Sequence, residues 1–541
     1  MKMNFAFLMI LILSSGLMFA QSSDIGDNPQ LGHYLSADEI GKTSLREFSP
    51  TDPPAEARNI AEFESMEGVL IRYPFGINYQ LIAAMSAEDK VVTVVSSSSQ
   101  QNTVTSSYTS NGVNLDNCEF LIAPSNSYWT RDYGPWYIYD GSEVAIVNFI
   151  YNRPRPDDND MPIAMAGFLG IDLYGMSVEQ TGGNYMTDGC GISAASDLVI
   201  EENPNLSVAQ INQYMEDFLG INTYYTIPDP NNTYIDHIDC WGKFLGVDKV
   251  LIREVPATHA QYDEIEATAD YFAGQNCSWG YPYEVFRVNT PNNQPYTNSL
   301  ILNKRVFVPI TGSGWDDDAL AAYEEAMPGY EIAGFTGSWE STDALHCRSK
   351  GIADRQMIHI AHQPYFQEEN GGTSLTFSAE ITAYSGEALV ADSVYIAWSI
   401  DGIGWNTMGL IDQGNNLWQA DLQLPAANTE LYYYLHAMDA DGNESDHPIP
   451  AENDPHGFSL VFNEMQYGDV DSNSIVETYD AALLLQYIVG LDPLPELDPL
   501  PWEDARIEAA DVDSNEVLGS YDASLIMQYV VGIIEELPIG E

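Results

Sequence analysis

Apolar positions follow two rhythms along this chain, and the point where one gives way to the other marks its organisation. Between about residues 55 and 363, solid apolar runs at Gly68–Arg72, Lys90–Val95 and Lys249–Arg253 predict buried strands, while 207–219 and 257–273 carry apolar residues at helical spacing. Strand runs alternating with helical stretches predict an α/β domain. From about 373 to 462 the texture becomes short and two-fold, predicting strands over 374–383, 392–400, 418–424, 430–437 and 457–462. Asp401-Gly402, Asp441-Gly442 and Asn415-Asn416 supply turn signals between them. Residues 370–463 therefore read as an immunoglobulin-like β-sandwich, with no catalytic constellation visible in it.

The last stretch, 466–541, contains an internal repeat: Asp469-Val-Asp471-Ser-Asn473-Ser-Ile475 followed by Asp480 returns as Asp511-Val-Asp513-Ser-Asn515-Glu-Val517 followed by Asp522. Side-chain oxygens at loop positions 1, 3, 5 and 12, with a backbone carbonyl from Ile475 or Val517 at position 7, are what an oxygen-seeking cation such as Ca²⁺ requires. Each loop runs into an apolar stretch, 481–489 or 523–531, closed by Gly490 or Gly532, which predicts a helix with its stop signal. The paired loop-helix units resemble a type I dockerin, a small α-helical Ca²⁺-binding module, and the resemblance implies a cohesin domain as partner. Ser474 and Glu516 depart from it, standing where such loops usually carry glycine for the sharp turn.

At the other end, Met1-Lys2 precedes an apolar run from Phe5 to Leu13 and a small-residue stretch ending at Ala20, the layout of a signal peptide over 1–20. Residues 21–54 are polar and read as a spacer. No later run is long enough to span a bilayer, so the expected product is secreted, free in solution or held at a cell surface through the dockerin-like module. With 80 acidic against 19 basic residues the net charge is −61, which rules against nucleic acid as a natural partner, serves solubility first, and as a second consequence attracts cationic substrates. Five cysteines, at 118, 190, 240, 277 and 347, are too few for a disulfide framework, and the odd count leaves at least one free thiol. Cys118 and Cys277 read as buried structural residues, and Cys240 as packing away from any pocket.

The candidate chemistry lies in clusters far apart in sequence: Trp129-Thr-Arg-Asp132-Tyr-Gly-Pro135, Asn152-Arg153-Pro-Arg155-Pro156, Asp236-His237-Ile-Asp239 and Leu345-His-Cys347-Arg348. A guanidinium is a flat fork of five N–H donors, so two carboxylates on opposite edges hold it firmly, and Asp132 and Asp239 are the candidates. Cys347 would attack its central carbon, with His237 moving the protons. His237 and Asp239, two apart, share a face if the segment is extended. Asp236 then points away into a structural hydrogen bond, and His346, next to the nucleophile, takes a structural role because neighbours on a strand diverge. Two nearby carboxylates raise the thiol pKa and an arriving guanidinium lowers it, so reactivity depends on substrate binding.

Together with T-G-G-N-Y-M-T-D-G at 181–189, Y-I-D-H-I-D-C-W-G-K-F at 234–244 and Y-T-N-S-L at 296–300, these segments resemble the bacterial Porphyromonas-type peptidylarginine deiminases, in the agmatine-deiminase branch of the guanidine-modifying superfamily, from about 59 to 363. The resemblance implies a five-bladed α/β propeller (the pentein fold) and cofactor-free hydrolysis of arginine to citrulline. It further implies that Trp129 packs along the substrate stem, that Asn298 belongs to the site, and that Arg153 and Arg155, assisted by Tyr234, hold the α-carboxylate of a C-terminal arginine. The expected function is thus a secreted protein-arginine deiminase working through a covalent Cys347 amidino intermediate, on peptide or protein substrates. One alternative is an agmatine or free-arginine deiminase, making N-carbamoylputrescine from agmatine. A second is a catalytically silent binding module displayed through its dockerin.

Overall fold

Each of the three apolar runs singled out in the first domain forms a strand. Met66–Arg72 lies parallel to Lys90–Val95, which lies parallel to Cys118–Ile122. Helices Tyr79–Ser86 and Ser98–Ser110 pack on Lys90–Val95, which is why that strand is apolar on both faces. The computed structural model describes residues 32–42, 49–462, 466–473, 475–490, 502 and 504–538. The expected signal peptide lies outside them.

The chain divides into two units, one ending at Arg355 and the other beginning at Gln356. Among the described residues the first unit is mixed α/β and contains five separate sheets of three or four strands. All repeat one plan: a short inner strand runs antiparallel to a middle strand, and a helix returns the chain to an outer strand parallel to the middle one. The inner strands are Trp136–Tyr139, Met186–Thr187, Gly242–Phe244, Leu300–Leu302 and Lys350–Ala353. Lys350–Ala353, from the end of the unit, completes the sheet of Met66–Arg72, from its beginning.

The helix expected over 207–219 forms as Val208–Leu219, with Ser207 and Gln210 closing a capping box and Gly220 at φ 68° ending it. The one expected over 257–273 starts later, as Tyr262–Ala273, because Pro256 to Tyr262 is spent in turns, with the amide of His259 bonded to Pro256 and that of Tyr262 to His259. The expected spacer is not free chain. The amide of Thr51 donates to the Gly175 carbonyl at 3.1 Å, and His33 and Glu39 are buried in the first unit, where Nε2 of His33 and the Glu39 carboxylate meet partners about a hundred residues away.

In the second unit one sheet holds Ile358–Ala361, Ser374–Ala383, Ile411–Gly414 and Leu417–Gln423, and the other holds Glu369–Asn370, Tyr395–Ser399, Asn406–Gly409, Thr429–Met438, Glu444–His447 and His456–Val461. Both contribute to one core, through Phe377, Trp418 and Ile381 from the first and Ile396, Tyr433, Leu435 and Phe458 from the second. Asn415 and Asn416, at φ 53° and 64°, make the two-residue turn between adjacent strands. Ile358–Ala361 pairs with Ser374–Ala383, so the first unit ends before the expected boundary at 363.

Helices Thr478–Ile488 and Ser520–Val530 begin three residues ahead of the expected apolar stretches. Asp480 and Asp522 occupy the third position of each and accept from the amides of Glu477 and Gly519 at 2.7 and 2.8 Å. With helix Asp504–Ala510 they enclose a core of Val470, Leu484, Trp502, Val512 and Ile526.

Candidate active site

The five-fold plan of the first unit sets the motifs of Asp132, Gly183, His237, Asn298 and Cys347 at equivalent places, whereas Arg153 and Arg155 follow the middle strand Val144–Tyr151. A short turn ends within two residues of each inner strand: Thr130–Tyr133, Gly182–Asn184, Ile238–Cys240, the turn holding Asn298, and His346–Arg348. The first of these packs against the second and the last, and the second against the third. Residues far apart in sequence thereby meet.

His237 and Asp239 are not on a strand, as expected, but flank the start of a 3₁₀ turn, and His346 to Arg348 form another. Asp236, at φ 51°, makes the sharp entry, and its backbone carbonyl accepts from the Ser196 hydroxyl. Its half-buried side chain is pushed up to about 7, by burial first and then by the hydrogen bond it shares with Asp229.

Gly183 marks the point of convergence. A Cβ built there would lie 2.6 Å from Nδ1 of His237, 2.7 Å from Oδ1 of Asp132 and 3.3 Å from Oδ2 of Asp239. Three functional groups thus face one small volume that only a residue without a side chain leaves open. Cys347 joins them, its Sγ 3.7 Å from Oδ2 of Asp239 and receiving the Asn298 amide at 3.3 Å. Asn298 also accepts from the backbone amides of His346 and Cys347, at 3.0 and 3.3 Å. Both ring nitrogens of His237 are buried without a hydrogen-bond partner among the described residues, with Oδ1 of Asp132 3.7 Å from Nδ1.

Burial pushes the Cys347 thiol well above its ordinary range, and the charges of Asp239, Asp343 and Asp132 push the same way. Burial brings His237 down to about 4 against the pull of Asp132 and Asp239, so its ring is neutral at pH 7. Burial works against ionisation of Asp132 and Asp239 as well. It is outweighed by His237 and His33 for Asp132, and by the His346 hydrogen bond for Asp239, and both stay below the usual carboxylate range.

His346 has more than a packing role. Its Nδ1 is 2.7 Å from Asp239 and its Nε2 2.7 Å from Glu62, which also pairs with Arg131 at 2.7 Å and Lys243 at 2.8 Å. Cys240 is buried beside Asp239, its Sγ 3.6 Å from Oδ1, whereas His346 and Cys347 approach Oδ2. Cys277 is buried, Cys118 half-buried and Cys190 exposed, and all five thiols are free.

Arg155 is buried and Arg153 half-buried, and they do not form one extended pair, because Arg155 caps the short helix Pro156–Asn159. Tyr234 is exposed, its hydroxyl 3.3 Å from that of Thr342. Trp129 is buried with its ring stacked on His33 at 4.5 Å, and Nε2 of His33 is 2.8 Å from Asp132. Arg155 donates to both oxygens of Glu39, at 2.8 and 3.4 Å. Neither His33 nor Glu39 carried a signal in the sequence.

In the second unit the carboxylate oxygens of Asp469, Asp471 and Asp480 lie within 4.8 Å of one another, as do those of Asp511, Asp513 and Asp522. An all-oxygen set of this kind suits Ca²⁺, with Asn473, Asn515 and the carbonyls of Ile475 and Val517 on the same loops. Glu516 takes φ 64°, so the sharp turn forms without glycine, whereas Ser474 lies outside the described residues.

Residues 59–350 match the model of the family described as Porphyromonas-type peptidyl-arginine deiminase, and residues 467–531 match the type I dockerin domain. A Yersinia pestis protein named "Putative agmatine deiminase" is 25% identical over 261 residues, which is 40% of this chain and 72% of that protein. The agmatine deiminase of Medicago truncatula is 23% identical over 50% of this chain and 85% of its own. A crystal structure described as a "putative agmatine deiminase" superposes with TM-score 0.51 at 18% identity, over 55% of this chain and 96% of that one, a likeness of fold.

Proposed function

The chain belongs to the Porphyromonas-type peptidyl-arginine deiminase family and carries a type I dockerin domain, and from that premise we propose that it hydrolyses the guanidinium of a C-terminal peptidyl-arginine to citrulline and ammonia. The observation that carries the reading is the convergence of Asp132, His237 and Asp239 on the space beside Gly183, with Cys347 next to Asp239. In this reading the five sheets are the blades of a pentein propeller, and the motif turns line its centre.

The chemistry follows from the residues. The guanidinium lies between Asp132 and Asp239, and its charge beside Cys347 offsets the carboxylates that hold the thiol protonated. Sγ bonds to the central carbon while the thiol proton passes to neutral His237, which delivers it to a departing amino group, and ammonia leaves. The remaining S-alkylthiouronium is attacked by water that gives a proton to His237. Collapse breaks the C–S bond and forms the ureido carbonyl, the hydroxyl proton passing to sulfur, while the proton on His237 leaves to solvent, where it converts the ammonia to ammonium.

Arg155 supports a carboxylate-bearing substrate, since its fork already grips a carboxylate, that of Glu39. Arg153 and Tyr234 would assist it. The names of the relatives favour a second reading, an agmatine deiminase. A peptide ending in arginine, the same peptide amidated, free arginine and agmatine separate the two by ureido-product formation. Preference for the free-carboxylate peptide, lost on Arg155→Gln, supports the first reading, and preference for agmatine overturns it.

No helix of the described residues is long and apolar enough to cross a membrane. We place the protein outside the cell, exported by its N-terminal segment, with the dockerin holding Ca²⁺ and docking a cohesin-bearing partner.

A further inference from the structure

We propose that residues 32–42 are an autoinhibitory plug that occupies the guanidinium site of the same chain as a pseudosubstrate, an inference that rests on the site assignment above. Two side chains carry the imitation. His33 sits where the flat cationic group belongs: its ring stacks on Trp129 at an interplanar angle of 11°, its Nε2 is bonded to Asp132, and its edge meets His237 with ring centroids 5.8 Å apart. Glu39 sits where the substrate carboxylate belongs, in the fork of Arg155, which also donates to the Gly32 carbonyl at 2.6 Å. The turn between them is shaped to present both groups, because Ser36 donates its amide and hydroxyl to Glu39 at 2.9 and 2.8 Å.

The burial pattern distinguishes a plug from a packed segment. His33 and Glu39 are 5% and 7% exposed, whereas Tyr34, Leu35 and Ile40 are 62%, 39% and 68% exposed. The segment has no apolar anchor of its own, and the groups that retain it belong to the candidate site. Tyr34 meets Tyr234 edge to face at the mouth, 6.4 Å between centroids, with both rings largely in solvent. A guanidinium and the His33 ring cannot both occupy the outer edge of Asp132, and Cys347 is fully buried in this arrangement. Substrate or alkylating reagent therefore reaches the thiol only after the segment leaves. If the plug is closed in nine molecules of ten, apparent affinity falls about tenfold.

The test compares the full chain with its His33→Ala/Glu39→Ala variant on two readouts. One is the rate at which iodoacetamide alkylates Cys347, followed by mass spectrometry with exposed Cys190 as internal reference. The other is kcat/KM on a peptide ending in arginine. Release of the plug raises both about tenfold or more, with Cys190 unchanged. A rise in Cys347 alkylation without turnover of any guanidine substrate keeps the plug and sinks the deiminase reading. Turnover with Cys347 alkylation unchanged or slower keeps the enzyme and sinks the plug, showing the segment to be a wall of the site. A second variant, with a protease site replacing residues 43–48, repeats the comparison before and after cutting the folded protein. A peptide of residues 32–42 then restores the slow rate if the proposal holds, and leaves it unchanged if it does not.

Discussion

Nδ1 of His346 stands 2.7 Å from Oδ2 of Asp239, the same oxygen that lies 3.7 Å from Sγ of Cys347. The histidine thus sets the position of the carboxylate on which both substrate and nucleophile are aligned. Carboxylates face both its ring nitrogens, which a neutral ring with one N–H cannot satisfy. Burial, together with the cations of Arg131 and Lys243 that flank Glu62, holds His346 below the ordinary imidazole range.

His346→Phe removes both contacts and leaves Asp239 to reorient. The expected loss in kcat/KM is about 10- to 100-fold, the range for a hydrogen bond to a buried charged group. His346→Gln, which retains a donor, recovers part of it. Equal activity in all three proteins would remove His346 from the positioning of Asp239.

Gly183→Ala drives a methyl group into the side chains that converge on the site. Atoms 2.6 and 2.7 Å away belong to His237 and Asp132, so either the pocket fills or its walls move. Turnover is expected to fall by about 100-fold, on the scale of a small misplacement of reacting groups, with the melting temperature near that of wild type. Activity within twofold of wild type would show that catalysis does not depend on the placement of His237 and Asp132 against Gly183.

Much of this site was legible because residue type carries the chemistry: two acids, a histidine, a thiol and an amide, each in a distinctive local run. The geometry was less so. His237, Asp239 and Cys347 were expected on strands and lie on 3₁₀ turns, since apolar neighbours such as Ile238 and Leu345 are buried in either conformation. His33 and Glu39 were invisible because their partners, Asp132 and Arg155, are 99 and 116 residues away, and a polar segment buried by polar contacts has no hydrophobic pattern. In the sandwich, long alternating strands such as Thr429–Met438 were plain. Ile358–Ala361 was not, for it continues the texture of the domain before it.

Ca²⁺ binding is expected to stabilise the C-terminal module. Burial raises the carboxyls of Asp480 and Asp522, and the neighbouring loop aspartates raise them further, a cost that a bound divalent cation reverses. At a hundredfold excess over the dissociation constant the gain is about 2.7 kcal/mol. Hydrogen exchange in helices 478–488 and 520–530 reads this locally: protection that rises with Ca²⁺ and falls with chelator is the expected result, and indifference to both contradicts it.

The sandwich carries its own pH dependence. Burial lowers His362 to about 4, His447 to about 3 and His456 well below the ordinary range, each taken up neutral in the core. Their folded pKa values are depressed, so the unfolded chain binds more protons once pH drops below about 6.5, and stability falls from there toward the folded values. The loss is on the order of a few kcal/mol in total. Exchange protection of Thr429–Met438, corrected for intrinsic rates, is expected to drop between pH 7.5 and 5.5, and a flat response over that window would exclude the mechanism.

The central claim is that Cys347 performs covalent chemistry on a guanidinium held by Asp132 and Asp239. Its most direct measurement is ammonia and ureido product released from a peptide ending in arginine by the plug-released His33→Ala/Glu39→Ala protein, with and without Cys347→Ala. Turnover in the first and a loss of at least about a thousandfold in the second is the predicted result. Equal release from both proteins would contradict it.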